Sequence, residues 1–273
     1  MSKDRQPDHS APLIDTHAHL YFEDYNADRD AVVTRAWEAG LVAIVSIGIQ
    51  PADWQPTLDI ARQYSGVYAA LGIHPNSADQ LNIDTLQTLT DLCKKQSGLV
   101  VGLGETGLDY YREYVSHEVQ IEAFRAQLSL ARELDLPVII HNRDAHDDVL
   151  AILRRDGRGT RGIMHSFSGD VEYAQACIEL GYLISLSGPV TFKKAVDKHE
   201  VASAIALEHL LVETDCPFLT PEPYRGRRNE PSYVRYTAEA IAKIRDVSLQ
   251  QVAEATTANA RRIFNLSAAE GND

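Results

Sequence analysis

The chain has 273 residues, of which 44% are hydrophobic and 24% charged, and it carries a formal net charge of −13 at pH 7. These proportions are typical of a soluble globular protein with a full-sized core, and they exclude a disordered chain. The negative charge argues against a broad basic surface that would bind duplex DNA by neutralising many phosphates.

Cysteine content and the first residues bear on the cellular compartment. Cys93, Cys177 and Cys216 are an odd number with no close pair, which indicates free thiols in a reducing compartment. The opening MSKDRQPDHSAP has no apolar core of an export signal, and no apolar stretch approaches the length that spans a bilayer. We therefore expect a cytoplasmic protein without a membrane segment, and no obligate protein partner is evident.

Strand-like and helix-like stretches alternate along the chain. Apolar runs typical of buried strands occupy 13–19, 41–49, 67–74, 99–105, 137–142, 162–167, 182–188 and 210–215. Amphipathic stretches typical of helices occupy 28–40, 53–65, 82–97, 116–135, 144–156, 170–181, 193–208, 231–245 and 248–265. Ser248 opens the last helix with a capping box, completed by Gln251.

Eight strands that alternate with helices predict an α/β fold with a parallel sheet, closed into a (β/α)₈ TIM barrel. No low-complexity linker divides the chain, and no Gly-rich phosphate motif follows the first strand, which disfavours a dinucleotide-binding fold. We expect a single-domain barrel over 13–266, with a polar N-terminal tail at 1–12 and a C-terminal tail at 267–273.

Most of the predicted strands end in a residue that can bind a metal ion. His17 and His19 end the first strand, and residues two apart in a strand face the same way. Later strands end in His74, Glu105, His141, His165 and Asp215. Because active sites of such barrels lie at the carboxyl ends of the strands, this bias toward one end favours a catalytic site over scattered core histidines.

The chemistry of this set predicts two divalent metal ions. Four histidines and two carboxylates suffice for a pair of ions bridged by a carboxylate and a water; they are His17, His19, His141, His165, Glu105 and Asp215. Imidazole favours Zn, Mn, Fe or Ni, and Mg is disfavoured though not excluded. A lone HxH pair is weak evidence, since histidines also occur as hydrogen-bonded strand residues. The further residues at matching strand ends reverse that balance.

Three other residues near the strand ends have more than one interpretation. His74 is a ligand, a proton donor, a donor to substrate phosphate or a satisfied loop histidine. Glu213 shares a predicted strand face with Asp215 and either holds a ligand or water, or pairs within the barrel. Arg143 pairs with a substrate phosphate, or with Asp144 or Glu105.

The densest positive charge lies in the loop YRGRRNEP, after the strand that ends in Asp215. This position predicts that Arg227 and Arg228 contact substrate phosphates, although isolated arginine clusters are usually solvated surface. Tyr110, Tyr111 and Phe167 are candidates for stacking bases, although such residues more often pack the core or the rim.

Six motifs carry a resemblance to a known family. In chain order they are DTHAH, GIHP, GETGLDYY, VIIHNRDA, MHSFSG and LLVETDCPFLTP. From about Leu13 to Leu266 the chain resembles the TatD family of metal-dependent deoxyribonucleases, within the amidohydrolase-like TIM barrels. A carbamylated lysine ends strand four in many amidohydrolases, so Glu105 at that position favours the TatD branch. Arg227 and Arg228 depart from the commoner lysine-bearing loop.

The resemblance implies a specific ligand set and activity. It implies that Glu105 bridges two metal ions, that His74 and Glu213 have functional roles, and that the remaining ligands are His17, His19, His141, His165 and Asp215. It also implies a 3′ to 5′ exonuclease acting on single-stranded DNA.

Our hypothesis is a phosphodiesterase acting on nucleic-acid ends through a water activated by two metals. Asp215 orients or deprotonates the water, and His74 with the arginine loop holds the substrate. An ester or amide hydrolase, such as an aminoacyl-tRNA deacylase, is the enzymatic alternative, and the sequence does not separate attack at phosphorus from attack at carbon. A non-catalytic binding protein is disfavoured because the ligand set has no gaps.

Overall fold

The computed structural model describes residues 11–112 and 114–266. Most of the tail predicted at 1–12 and all of the tail predicted at 267–273 lie outside the described residues, so those limits stay predictions. Within the described part of the chain, none of the helices is both long and apolar enough to cross a membrane. Cys93, Cys177 and Cys216 are buried free thiols, as expected.

Eight parallel strands form one sheet in which each strand pairs with its neighbours in sequence. They are β1 (Leu13–Ala18), β2 (Leu41–Gly48), β3 (Val67–Leu71), β4 (Val100–Asp109), β5 (Val138–Arg143), β6 (Gly162–Met164), β7 (Tyr182–Leu186) and β8 (Leu210–Val212). The sheet closes where the chain leaves β1 and β8, because Asp215 N donates to His17 O and His19 N donates to Cys216 O, each at 2.8 Å. The prediction of a (β/α)₈ barrel is confirmed.

Helices cover the outside of the sheet. They are α1 (Arg29–Glu38), α2 (Pro51–Gln63), α3 (Ile83–Lys95), α4 (His117–Leu134), α5 (His146–Asp156), α6 (Val171–Glu179), α7 (Val196–Ala204), α8 (Val234–Arg245) and α9 (Leu249–Phe264). Short 3₁₀ helices lie at Glu23–Tyr25, Pro75–Gln80, Gly188–Thr191, Leu207–His209 and Pro231–Tyr233. The predicted capping box of α9 is present, since Ser248 and Gln251 each accept the other's backbone N–H.

The barrel interior is filled by apolar side chains, and one end is plugged. Inward-facing residues such as Ile14, Val45 and Ile139 pack in one cluster with Ile263 and Phe264 of α9. Gly102, near the start of β4, contacts Phe264 closely enough that an added Cβ would lie 3.4 Å from its ring. Because α9 closes the end where the strands begin, the end where they finish is left as the mouth.

The strand limits differ from the predicted ones in a way that matters for the site. Glu105 was predicted to end the fourth strand, but β4 continues to Asp109 because it pairs with β5 beyond a register shift between Gly104 and Thr106. Gly104 has φ of 142°, and a Cβ there would lie 2.5 Å from Ile139 O, so the shift requires glycine. The bulge re-aims Glu105 without ending the strand.

Other predicted strands are shorter than expected. β3, β6 and β8 end before His74, His165 and Asp215, so these three side chains project from the segments that follow the strands. The predicted shared strand face of Glu213 and Asp215 is therefore wrong. Neither residue lies on β8, and Asp215 has φ of 56°, which is outside the extended region, although both carboxylates contact histidines at the mouth.

Candidate metal centre

His17 and His19 converge with two carboxylates at the mouth. Their Nε2 atoms lie 3.3 Å apart, as expected for residues two apart at a strand end. Glu105 Oε2 lies 3.3 Å from His17 Nε2. Asp215 Oδ1 lies 3.6 Å from His17 Nε2 and 3.5 Å from His19 Nε2. We call these four residues the first ligand group.

The other oxygen of Glu105 faces a second set of histidines. Oε1 lies 2.6 Å from His141 Nδ1, 3.4 Å from His165 Nε2 and 3.5 Å from His74 Nε2. We call Glu105, His141 and His165 the second ligand group. Glu105 is thus the one residue common to both groups, with one oxygen turned to each.

A hydrogen bond to one ring and an ion-pair contact to another hold these histidines from the side away from the centre. His19 Nδ1 lies 3.1 Å from Ile47 O, and His165 Nδ1 lies 2.8 Å from Glu213 Oε1. Metal-binding histidines commonly present the second nitrogen to a carbonyl or carboxylate in this way. Glu213 also accepts a hydrogen bond of 2.8 Å from Ser166 N. Glu213 thus contacts His165 of the second ligand group, and this contact is compatible both with support of a ligand and with an ion pair within the barrel.

Asp109 is a site residue that the sequence analysis missed. Its Oδ2 lies 3.1 Å from His141 Nε2, so it supports His141 as Glu213 supports His165. Its Oδ1 accepts hydrogen bonds from Tyr111 N at 3.0 Å and Arg112 N at 2.9 Å. The motif GETGLD could have indicated this role, because Asp109 stands an even number of residues beyond Glu105 and such residues share one face of a strand. Asp109 was missed because the strand was predicted to end at Glu105.

Asp15 is a second missed residue, buried behind the first ligand group. It accepts hydrogen bonds from Thr214 N at 2.9 Å, from Thr214 Oγ1 at 2.6 Å and from His17 N at 3.3 Å. Burial raises the pKa of Asp15 to about 8, against the opposing effect of the Thr214 hydrogen bonds. Asp15 therefore ties the end of β1 to the segment that presents Asp215.

The charge balance of the centre depends on histidine. Among the described residues, all the cationic groups within 4.0 Å of Glu105 and Asp215 are imidazoles. Burial alone would raise the pKa of Glu105, but His165 and other imidazoles hold it well below the ordinary value. Burial alone would lower the pKa of His165, but Glu213 and Glu105 raise it to about 10.

The pairing of buried carboxylates with imidazoles bears on whether these residues suit a metal ion. Carboxylates and unprotonated imidazoles are the forms that bind metal ions, and a cation entering the centre would replace the imidazole protons. Burial of unscreened carboxylates is costly without such a cation. The residues of both ligand groups therefore fit divalent ions, and imidazole-rich sets favour transition metals.

His74 differs from the other histidines. Its Nδ1 accepts a hydrogen bond of 3.0 Å from Asn76 N, so the proton of the neutral ring lies on Nε2. Burial, with the adjacent His141, lowers the pKa of His74 to about 3. Its Nε2 thus carries a hydrogen and points toward Glu105, which suits a hydrogen-bond donor better than a ligand.

The predicted phosphate-binding arginines are in different environments. Arg228 donates to both carboxylate oxygens of Asp28, at 2.9 and 2.7 Å, so its guanidinium is engaged within the fold. Arg227 is exposed, 5.8 Å from the Tyr224 ring centroid. The structure gives the predicted phosphate contact of Arg228 no support. Arg143 pairs with neither Asp144 nor Glu105 and lies over the Tyr111 ring at 3.8 Å.

The three aromatic residues predicted as candidates for base stacking lie in different environments. Phe167 is 4% exposed and packs in the core. Tyr110 stacks on His117 at 3.6 Å and donates to Asp148 at 2.6 Å, so both its ring and its hydroxyl have partners. Tyr111 is 61% exposed. Of these three, Tyr111 is the ring available to a ligand.

The fold and the centre together define a metal-dependent hydrolase of the TIM-barrel class. The family described as "TatD related DNase" matches residues 14–265. The chain belongs to the TatD family.

Relatives extend along the whole barrel. The uncharacterized metal-dependent hydrolase YabD of Bacillus subtilis is 43% identical over 256 residues, which cover 93% of this chain and 100% of YabD. The 3′-5′ ssDNA/RNA exonuclease TatD of Erwinia amylovora is 34% identical over 261 residues, covering 93% of this chain and 100% of that protein. The crystal structure of the TatD homologue YjjV from Escherichia coli K12 superposes with a TM-score of 0.88 at 31% identity, covering 94% and 100% of the two chains.

Proposed function

We propose that the protein hydrolyses phosphodiester bonds at the ends of single-stranded nucleic acid, in the 3′ to 5′ direction. The observation that carries this proposal is the position of Glu105, whose two oxygens face two separate groups of histidines at the open end of the barrel. A pair of sites that share one carboxylate is the arrangement suited to displacement at phosphorus. The Erwinia amylovora relative, a 3′-5′ ssDNA/RNA exonuclease by name, supports the choice of substrate.

We assign the residues of the two ligand groups to two divalent ions. His17, His19, Glu105 and Asp215 would hold one ion, and Glu105, His141 and His165 would hold the other. When bound, the ions would lower the pKa of water and neutralise phosphoryl oxygens. Zn, Mn, Fe or Ni suits this imidazole-rich set better than Mg does.

The chain's own groups supply orientation and proton transfer. Asp215, whose Oδ1 lies 3.5 Å from His19 Nε2, would orient the attacking water and take its proton. His74, through Nε2–H, donates a hydrogen bond to the phosphate or to its leaving oxygen. Glu213 and Asp109 fix the rings of His165 and His141, so that they keep their orientation when substrate binds.

The test is a substrate screen on the protein reconstituted with each metal. End-labelled single-stranded DNA, single-stranded RNA, blunt duplex DNA and an aminoacyl ester are compared, with Glu105→Gln as the inactive control. We expect stepwise release of mononucleotides from the 3′ end of single strands, and a block by a phosphorothioate at the terminal linkage. Hydrolysis of the ester with no cleavage of any oligonucleotide would replace the proposal with attack at carbon.

The basic loop offers a prediction about substrate affinity. Replacing both Arg225 and Arg227 with alanine should raise the KM for single-stranded oligonucleotides, because both side chains are exposed and the loop follows Asp215. Each lost phosphate contact should flatten the slope of log affinity against log salt by about 0.7. Salt titrations of KM measure this slope.

Arg228→Ala is the matched control for the basic loop. Because Arg228 is engaged with Asp28, its removal should lower the melting temperature and leave the salt slope nearly unchanged. An unchanged slope in the Arg225 and Arg227 double variant would assign those arginines to solvated surface.

A further inference from the structure

An exposed aromatic and cationic surface borders the second ligand group. Tyr111 and Tyr114 are 61% and 69% exposed, and they stand in the segment that leaves β4. The Arg143 guanidinium lies 3.8 Å from the centroid of the Tyr111 ring. Arg112 donates to Tyr114 Oη at 3.0 Å. Two large rings and two guanidinium groups are thus presented to solvent on one part of the rim.

This surface is linked to the candidate metal centre through the Asp109 carboxylate and through β5. Asp109 Oδ1 accepts from the backbone N–H groups of Tyr111 and Arg112, while Oδ2 lies 3.1 Å from His141 Nε2. Arg143 stands two residues beyond His141 on β5, so the two side chains leave the strand on the same side. The backbone of Tyr111 is therefore held close to the second ligand group, and the guanidinium of Arg143 contacts its ring.

The charges on this surface are unusual for the molecule. The chain carries a net charge of −13, yet no described carboxylate lies within 4.0 Å of the guanidinium of Arg143 or Arg112. A planar guanidinium over an aromatic ring offers π faces and phosphate-binding donors together. A neutral apolar ligand would contact the rings but gain nothing from the guanidinium groups, and free phosphate would bind the guanidinium groups but not the rings. A nucleobase with its adjoining phosphate uses both.

We propose that Tyr111 and Arg143 form a stacking subsite for one nucleobase of a single-stranded substrate, on the His141 side of the centre. The proposal rests on the proposed function, since it names where the strand beyond the scissile bond lies. A duplex would hold its bases within the helical stack and could not present one to this ring. The subsite therefore provides a physical reason for a preference for single strands.

The experiment uses binding, so that it does not depend on turnover. Cleavage-resistant phosphorothioate oligonucleotides carry the fluorescent base 2-aminopurine at each of the terminal positions in turn, and they are titrated with the metal-loaded full chain. Stacking on Tyr111 should quench the fluorescence at one position, and an abasic residue there should weaken binding. Tyr111→Phe keeps the ring and should keep the quenching.

Tyr111→Ala should abolish that quenching and raise the Kd by about 5-fold to 150-fold, the range for loss of a base-stacking aromatic ring. In that variant the abasic substitution should have no further effect. Quenching that persists in Tyr111→Ala at every position would overturn the subsite. If the wild type binds and cleaves single strands and Tyr111→Ala does so equally well, the stacking subsite is wrong but the proposed function stands. If the wild type neither binds nor cleaves single strands, both the subsite and the proposed function are wrong.

Discussion

Glu105→Gln is expected to remove metal from both ligand groups and to lower phosphodiester turnover by at least about a thousandfold. The amide keeps the size of the side chain, but it replaces one of the two oxygens with a nitrogen that bears hydrogens and removes the negative charge. Because Glu105 contacts His17 through one oxygen and His141 through the other, neither group stays intact. A loss of several kcal/mol of transition-state stabilisation corresponds to this factor.

Elemental analysis and circular dichroism separate the effects of Glu105→Gln. We expect a folded barrel with little bound metal, since the interior packing of the strands does not involve this side chain. Glu133→Gln is the matched control, because Glu133 is exposed and pairs with Lys94 at 3.1 Å. If Glu105→Gln binds as much metal as the wild type, Glu105 is not a metal ligand. If Glu105→Gln loses only one equivalent of metal, Glu105 does not serve both ligand groups, although it still belongs to one metal site.

The barrel and most of its mouth were predictable from sequence because they depend on local pattern. Apolar runs separated by amphipathic stretches specify strands and helices, and closure follows from their number. Residues such as His17, His19 and His165 stand at the ends of those runs, so their convergence follows from the parallel sheet alone. Their position at one end of the barrel could therefore be predicted without any long-range contact.

What the sequence did not reveal depends on backbone irregularity and on distant partners. Asp109 was missed because the shift after Gly104 extends β4 beyond its apolar run. Asp15 was missed because its partner, Thr214, is 199 residues away in sequence. Arg228 was predicted to meet substrate, yet Asp28, 200 residues away, takes up its guanidinium. A single sequence carries no record of such pairings.

Asp215→Asn is expected to lower kcat by at least about a hundredfold while changing substrate affinity much less. Asparagine keeps an oxygen that can face His17 and His19, so most of the metal should remain. It does not accept a proton, and general base catalysis contributes about a hundredfold to ten-thousandfold. A group that acts mainly in the transition state lowers kcat more than it raises KM. Steady-state kinetics on single-stranded oligonucleotides, with metal content measured on the same samples, test this expectation.

The comparison with metal content decides between two roles for Asp215. Asp59→Asn is the matched control, since Asp59 is exposed and pairs with Arg62 at 2.7 Å. If metal and turnover in Asp215→Asn fall in parallel, Asp215 acts as a ligand and another group takes the proton. If metal stays while turnover falls, the carboxylate acts on the attacking water. Normal turnover would exclude both roles, and the φ of 56° that turns Asp215 toward the histidines would then need a structural explanation.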